Sequence, residues 1–274
     1  MIKISPLSRI VGFIHTFSPF SRRRMWRMSY NLLNKKFESK EFRFLNYGYS
    51  PSVGEKIAML QVEDEVDREF ISLYHHVVAD IDLENKAVVE IGSGRGGGSY
   101  YISRYMKPKT YTGVDFSRNA VQYCQKNYNV EGLSFMQGDA EHLPLLTETS
   151  DVVINVESSH CYGSMEKFVK EAFRILKPQG FFAWTDFRDP KEEKPLRELF
   201  QKSGFTIIKE EEITANVLES LDRTHDRKTQ AIHKYTSPIM KSTMEDFAAT
   251  KNSVMYEFFR AGELKYLHFL MQKQ

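Results

Sequence analysis

The chain of 274 residues predicts an α/β domain built on a doubly wound, mostly parallel sheet. Two observations carry that reading. Short apolar runs alternate with amphipathic patterns of about 10–15 residues, the rhythm of strand–helix–strand units. A glycine-rich turn, GSGRGGG, follows the first apolar run directly and opens a helical pattern. With 41% hydrophobic and 13% aromatic residues, the chain has enough apolar surface to fill a core around such a sheet.

In order, EVDREFISLYHHVVADIDL (65–83) reads as a helix leading into the first strand, KAVVEIG (86–92). GSYYISRYM is the helix after the glycine turn, and TYTGVDF (110–116) is the second strand. SRNAVQYCQKNY is a helix with Ser117 as its N-cap. LSFMQGDA (133–140) and SDVVINVES (150–158) are the third and fourth strands. MEKFVKEAFRILK is amphipathic, with Phe168, Phe173 and Leu176 near the helical period, and PQG ends it. GFFAWTDF (180–187) is the fifth strand, PLRELFQKSG a helix stopped by Gly204, and FTIIKEEEIT the sixth strand. Residues 214–260 read as helical, and ELKYLHFLMQK (263–273) closes the chain as a strand. The expected organisation is an α/β domain over 60–274, with a helical insert at about 214–260 and an N-terminal extension and lid over 1–59.

Charge and cysteine usage exclude several classes. The first 36 residues hold eight Lys/Arg and no acid, leaving 30 basic against 36 acidic side chains for the rest, net −6. Nucleic-acid binding wants a basic body, so no nucleic-acid partner is expected. No apolar run reaches the ~20 residues of a membrane span. Two cysteines, Cys124 and Cys161, fit a reducing compartment, hence a cytoplasmic location. The basic, aromatic head fits three roles: an amphipathic segment making peripheral membrane contact, a transit peptide, or helices packed on the domain.

The glycine loop VVEIGSGRGGG supplies a tight turn and close backbone approach at a helix N-terminus, and Asp115 ends the next strand where a carboxylate can hold ribose hydroxyls. A dinucleotide or another adenosine-bearing cofactor satisfies both features. Glu90, two residues before the first glycine, crowds a pyrophosphate but suits a cationic amino group. GDAEHLP offers Asp139 beside Ala140 for an adenine amino group. A sulfonium cofactor, adenosine at one end and an amino acid at the other, fits all three acids, and a dehydrogenase leaves Glu90 and GDAEHLP without a role.

VVEIGSGRGGG, YTGVDFS, GDAEHLP, DVVINVES and RILKPQGFFAWTD stand in the order and spacing of class I S-adenosylmethionine-dependent methyltransferases, which the chain resembles over about residues 85–190. The resemblance implies a seven-stranded sheet with an antiparallel last strand and S-adenosyl-L-methionine as cofactor. It places Glu90, Gly92, Ser93 and Gly94 at the methionine end, Asp115 and Phe116 at the ribose, and Asp139 and Ala140 at the adenine; Asn155, at the end of the fourth strand, is expected to line the methyl group. The extra glycines at 96–98 depart from the pattern and are expected to widen the pocket. FLNYGY (44–49), LYHH (73–76), NVESSHCY and AGELKY look like the phthiotriol/phenolphthiocerol dimycocerosate methyltransferase group. That group implies O-methylation of a hydroxyl on an apolar, lipid- or polyketide-like acceptor.

The stretch NVESSHCY brings Glu157, His160 and Cys161 together beyond the fourth strand. Zinc wants three or four ligands at recognisable spacing, and this stretch lacks them, so no metal is expected. Methyl transfer needs no covalent intermediate, so Cys161 is read as a small buried apolar residue. Removing a hydroxyl proton benefits from a base near neutral pKa, which makes His160 the candidate, with Glu157 orienting it or the substrate. Tyr47 and Tyr49 are candidates for a lid over the cofactor, and the insert, with Phe247, Met255, Tyr256, Phe258 and Phe259, for an acceptor pocket. The rival readings are a sterol/polyprenyl-type C-methyltransferase and a non-catalytic module that keeps the cofactor fold.

Overall fold

Runs rich in Val, Ile, Phe and Trp form the sheet, and their burial on both faces places them at its centre. The computed structural model describes residues 42–274; the basic head, residues 1–36, lies outside them. In chain order the elements are α1 (Arg68–Val78), β1 (Ala87–Ile91), α2 (Gly97–Tyr105), β2 (Thr110–Asp115), α3 (Arg118–Asn127), β3 (Leu133–Gln137), β4 (Ser150–Val156), α4 (Met165–Ile175), β5 (Leu176–Arg188), α5 (Pro190–Lys202), β6 (Phe205–Glu212), α6 (Thr214–Tyr235), α7 (Lys241–Phe247), α8 (Val254–Arg260) and β7 (Lys265–Lys273). The seven strands lie in the order β3-β2-β1-β4-β5-β7-β6. All pairs are parallel except those of β7, which runs antiparallel to both β5 and β6.

Strand order reverses between β1 and β4, and a crevice opens beyond their carboxyl ends. One core fills the face carrying α1, α2 and α6, and the other the face carrying α4 and α5. Trp184, Phe182 and Phe269 are fully buried in the second. α4 buries Phe168, Val169, Ala172 and Ile175, while Phe173 is only partly covered. The helix ends at Ile175 and β5 begins at once, so PQG lies inside the strand rather than before it. Gln179, at φ +63°, marks the irregular stretch where the pairing with β4 shifts register. β6 alternates buried and exposed residues along a charged outer edge, which discourages pairing with another sheet.

The expected boundary at residue 59 does not separate two cores. Tyr47, Tyr49 and Ala58 belong to the same buried cluster as Val88, Ile154 and Tyr266. The insert clasps this segment: Ser220 Oγ donates to Tyr47 O at 3.1 Å, and Asn216 Nδ2 donates to Ser50 O at 2.9 Å. Among the described residues no helix is long and apolar enough to cross a membrane.

Candidate functional site

A cavity sits at the crevice, walled by Gly92–Gly94 after β1, Asp115 and Phe116 after β2, Asp139 and Ala140 after β3, and Glu157 and Ser158 after β4. Gly92 turns the chain at φ +81°, and a Cβ there would stand 2.2 Å from Ser158 Oγ, so only glycine lets the two loops meet. The loop amides are already used: Gly92 N and Ser93 N donate to Val114 O, Gly96 N to Ser93 O, and Gly97 N to Arg43 O. Gly94 N donates to the Asp115 carboxylate at 2.8 Å. With these five amides turned to carbonyls and a carboxylate, the loop offers few to an anion, which counts against a pyrophosphate.

The polar groups that remain suit a cofactor with hydroxyl and amino donors. Ser93 Oγ and Asn46 Oδ1 line the cavity, are buried, and have no hydrogen-bond partner among the described residues. Asp115 is raised from the usual carboxylate value by burial, against the Ser117 and Gly94 N–H groups that favour its charge. Its remaining lone pairs can take ribose hydroxyls. These features fit S-adenosylmethionine.

Not every expected residue reaches this wall. Glu90 is fully buried beneath the loop, where its carboxylate accepts from Tyr74 OH (2.8 Å), Tyr111 OH (2.9 Å) and Ser99 Oγ. Burial raises its pKa, although three hydroxyl donors oppose the rise. Tyr74, not Glu90, faces the cavity. Asn155 is also off the wall; its Nδ2 braces Ile91 O and Ser158 Oγ, both at 2.8 Å. Tyr49 lies elsewhere in the core, stacked on His76 at 4.2 Å with its hydroxyl on Glu55. Residues 43–46 line the cavity in place of the expected tyrosines, and Tyr47 walls a second, apolar cavity. Glycines 96–98 do not widen the site, because Gly97 sits under Arg43 O and Phe44, and Gly98 under the Tyr74 ring. Cys161 is half-buried on the cavity wall rather than inert in the core.

Beyond β4 the structure pairs His160 with a residue that the sequence reading missed. His160 Nδ1 lies 2.9 Å from Asp186 Oδ1, and His160 N donates to Asp186 Oδ2 at 2.8 Å. Asp186 has no exposure; it also accepts from Ser159 Oγ at 2.6 Å and pairs with Arg188 at 3.2 Å. Burial opposes its ionisation, yet the His160 and Arg188 charges hold it well below the usual carboxylate range. The signal was an acid inside the apolar run FFAWTDF, on the strand beside β4, where Val156 pairs with Thr185. His160 itself is not on the cofactor wall. It packs on Phe187 at 4.4 Å, and Phe187 stacks on Tyr47 at 5.8 Å.

Asp186 hydrogen-bonds His160, and Glu157 holds two other partners. Glu157 Oε2 accepts from Tyr47 N (2.8 Å) and Tyr266 OH (2.7 Å), tying the 42–50 segment to the ends of β4 and β7. Burial lifts Glu157 from 4.5 to about 7, against those two donors. A carboxyl raised in the folded state binds its proton more tightly there than when unfolded. Its contribution to stability is therefore complete below about 4.5 and is lost as pH climbs through about 7. Glu157→Gln is expected to flatten the fall in melting temperature between pH 4.5 and pH 8, read from thermal melts of both proteins. Parallel pH curves for the two would refute this.

A family model described as a methyltransferase domain matches residues 89–184. The phthiotriol/phenolphthiotriol dimycocerosates methyltransferase of Mycobacterium leprae is 31% identical, over 89% of this chain and 90% of that protein. The fatty-acid O-methyltransferase of Mycolicibacterium smegmatis is 30% identical, over 88% of this chain and 86% of that protein. Among solved structures, the geranyl diphosphate C-methyltransferase from Streptomyces coelicolor in complex with Mg2+, geranyl diphosphate and S-adenosyl-L-homocysteine superposes with a TM-score of 0.66. That match covers 91% of this chain and 98% of the other at 13% identity, a likeness of fold.

Proposed function

Because this chain belongs to the S-adenosylmethionine-dependent methyltransferases, in the family of the phthiotriol/phenolphthiotriol dimycocerosates methyltransferases, its donor and transferred group are given, and we propose that it O-methylates a hydroxyl of an apolar, lipid-like small molecule. The observation that carries this reading is the pair formed by His160, beyond β4, and Asp186, within β5, next to the cofactor cavity. The printed names of the two relatives, one a dimycocerosate and one a fatty-acid methyltransferase, support an acceptor of that class.

When bound, S-adenosylmethionine supplies an electrophilic methyl on a sulfonium. Asp115 would hold the ribose hydroxyls, and Asp139 with Ala140 would face the adenine. Ser93 Oγ and Asn46 Oδ1 would accept from the amino-acid end or the acceptor, while Glu90 holds Tyr74 in the cavity wall. An acceptor hydroxyl that took this methyl as its bond to sulfur broke would leave S-adenosylhomocysteine, and His160 would receive the hydroxyl proton. Asp186 accepts the Nδ1 proton of His160, which gives Nε2 the task of exchanging a proton with the acceptor.

The acceptor fits the second cavity, lined by Phe44, Tyr47, Phe70, Ile232, Met244 and Phe247, which shares Phe44, Leu45, Asn46 and Arg95 with the cofactor cavity. Of the insert residues expected at such a pocket, Phe247 is there. Tyr256 and Phe259 are buried in the main core, and Met255 and Phe258 pack against it. The test is incubation with methyl-labelled S-adenosylmethionine and a total lipid extract. Label is expected in the organic phase as a methyl ether, stable to alkali and located on oxygen by mass spectrometry. Label on carbon, or none in any lipid fraction, overturns the reading.

A further inference from the structure

The apolar cavity carries groups that an ordinary lipid tail does not need, among them Lys228. Lys228 projects from α6 into it, its Nζ 5.3 Å from the centroid of Phe70 and 5.7 Å from that of Tyr47. Nζ donates to Ala248 O at 3.3 Å, and among the described residues it pairs with no carboxylate. Its neighbour Arg227, on the same wall, differs: Arg227 Nη2 lies 2.5 Å from Asp67. Among the described residues Arg227 is thus in contact with a carboxylate and Lys228 is not.

An ammonium among aromatic rings keeps part of its charge through the ring faces, but transfer out of water still costs it free energy. Burial accordingly lowers Lys228 to about 7, against the pull of Glu157, the acid that acts on it. An anionic ligand group at Nζ would restore the charged form and supply the missing counter-charge. Asn46 Oδ1, which also lines this cavity, has no hydrogen-bond partner among the described residues. Asn46 is only 7% exposed, and its Nδ2 lies 3.3 Å from Phe70 O, which fixes the amide with Oδ1 toward the cavities. An acceptor there must find a donor in the ligand, and a hydroxyl is one.

We propose that the acceptor is an amphiphilic hydroxy acid, its carboxylate held by Lys228 Nζ, its apolar chain in the aromatic cavity, and its hydroxyl presented at the Asn46 wall toward the cofactor. This rests on the acceptor-cavity reading above and sharpens it, because the anchored carboxylate is not the oxygen that is methylated. Each acceptor molecule gains one methyl ether and releases one proton, and its carboxylate is unchanged.

The experiment compares 10-hydroxydecanoic acid with its methyl ester as ligands of the S-adenosylhomocysteine-loaded protein, by calorimetry. The acid is expected to bind roughly 10- to 100-fold tighter, the size of one hydrogen bond to a charged group. Lys228→Met should bring the ratio to about one, and Lys228→Arg should keep most of it, with S-adenosylhomocysteine titration reporting folding of each variant. Equal affinity of acid and ester for the unaltered protein, or a preference that survives in Lys228→Met, overturns the inference while leaving the cavity reading intact. If neither compound binds while S-adenosylhomocysteine does, the cavity reading falls and this inference with it. Should Lys228→Met not fold, the comparison in the unaltered protein and in Lys228→Arg still decides.

Discussion

His160→Ala is expected to lower kcat by about 10²- to 10⁴-fold, the range a positioned general base contributes, with S-adenosylhomocysteine affinity changed by no more than about twofold. The second half follows from position: His160 is not on the cofactor wall, so its loss leaves that cavity's contacts in place. Asp186→Asn is expected to fall in the same direction, and the pH profile separates its role from a merely structural one. Burial opposes the imidazolium, but the Cys161 sulfur and the Asp186 carboxylate outweigh it and raise His160 to about 10. A base must be neutral to act, so kcat/KM should climb about tenfold per pH unit through the neutral range. Removing the Asp186 charge lowers the His160 pKa, so in Asp186→Asn the rising limb moves to lower pH while its plateau drops. A pH profile that keeps its position in Asp186→Asn, or unchanged turnover in His160→Ala, would end the assignment.

Gly98→Ala should destabilise the protein by about 2 kcal/mol or more and weaken cofactor binding together. On helix propensity alone, alanine in α2 would be favourable by roughly 0.5–1 kcal/mol. Space decides otherwise: a Cβ at Gly98 would lie 2.0 Å from the Tyr74 ring, which is itself buried. Displacing that ring breaks the 2.8 Å bond from Tyr74 OH to Glu90 and moves a cavity wall. The measurement is chemical denaturation beside S-adenosylhomocysteine titration. Adding Tyr74→Ala should recover part of the lost stability, because it vacates the space, without recovering affinity. A Gly98→Ala protein as stable as its parent would show that the ring moves at no cost.

These two predictions mark how far the sequence could be read. The glycine loop was legible, since a strand, a turn and a helix follow one another in the chain, yet the excess glycines at 96–98 were misread as added room. Their neighbours, Tyr74 and the 43–44 segment, come from other parts of the chain and fill that space. From the sequence, Glu90 reads as an acid two residues before the glycine turn that suits a cationic amino group. Whether it touches a ligand or props the residues that do depended on Tyr74, Ser99 and Tyr111 converging on it.

The sequence by itself determined the strands and helices, their order, the switch point at β1 and β4 and the loops that wall the cofactor cavity. Apolar periodicity, N-caps and turn residues act over a few neighbouring positions, so they are written in contiguous residues. Only the tertiary structure decided the chemistry of NVESSHCY. His160 meets Asp186 from 26 positions away, Glu157 is held by Tyr47 and Tyr266 from 110 and 109 positions away, and Lys228 reaches a cavity whose walls come from residue 42 to residue 248. Such partnerships arise when the sheet brings strand ends together and burial then forces each polar group to find whatever donor or charge stands opposite.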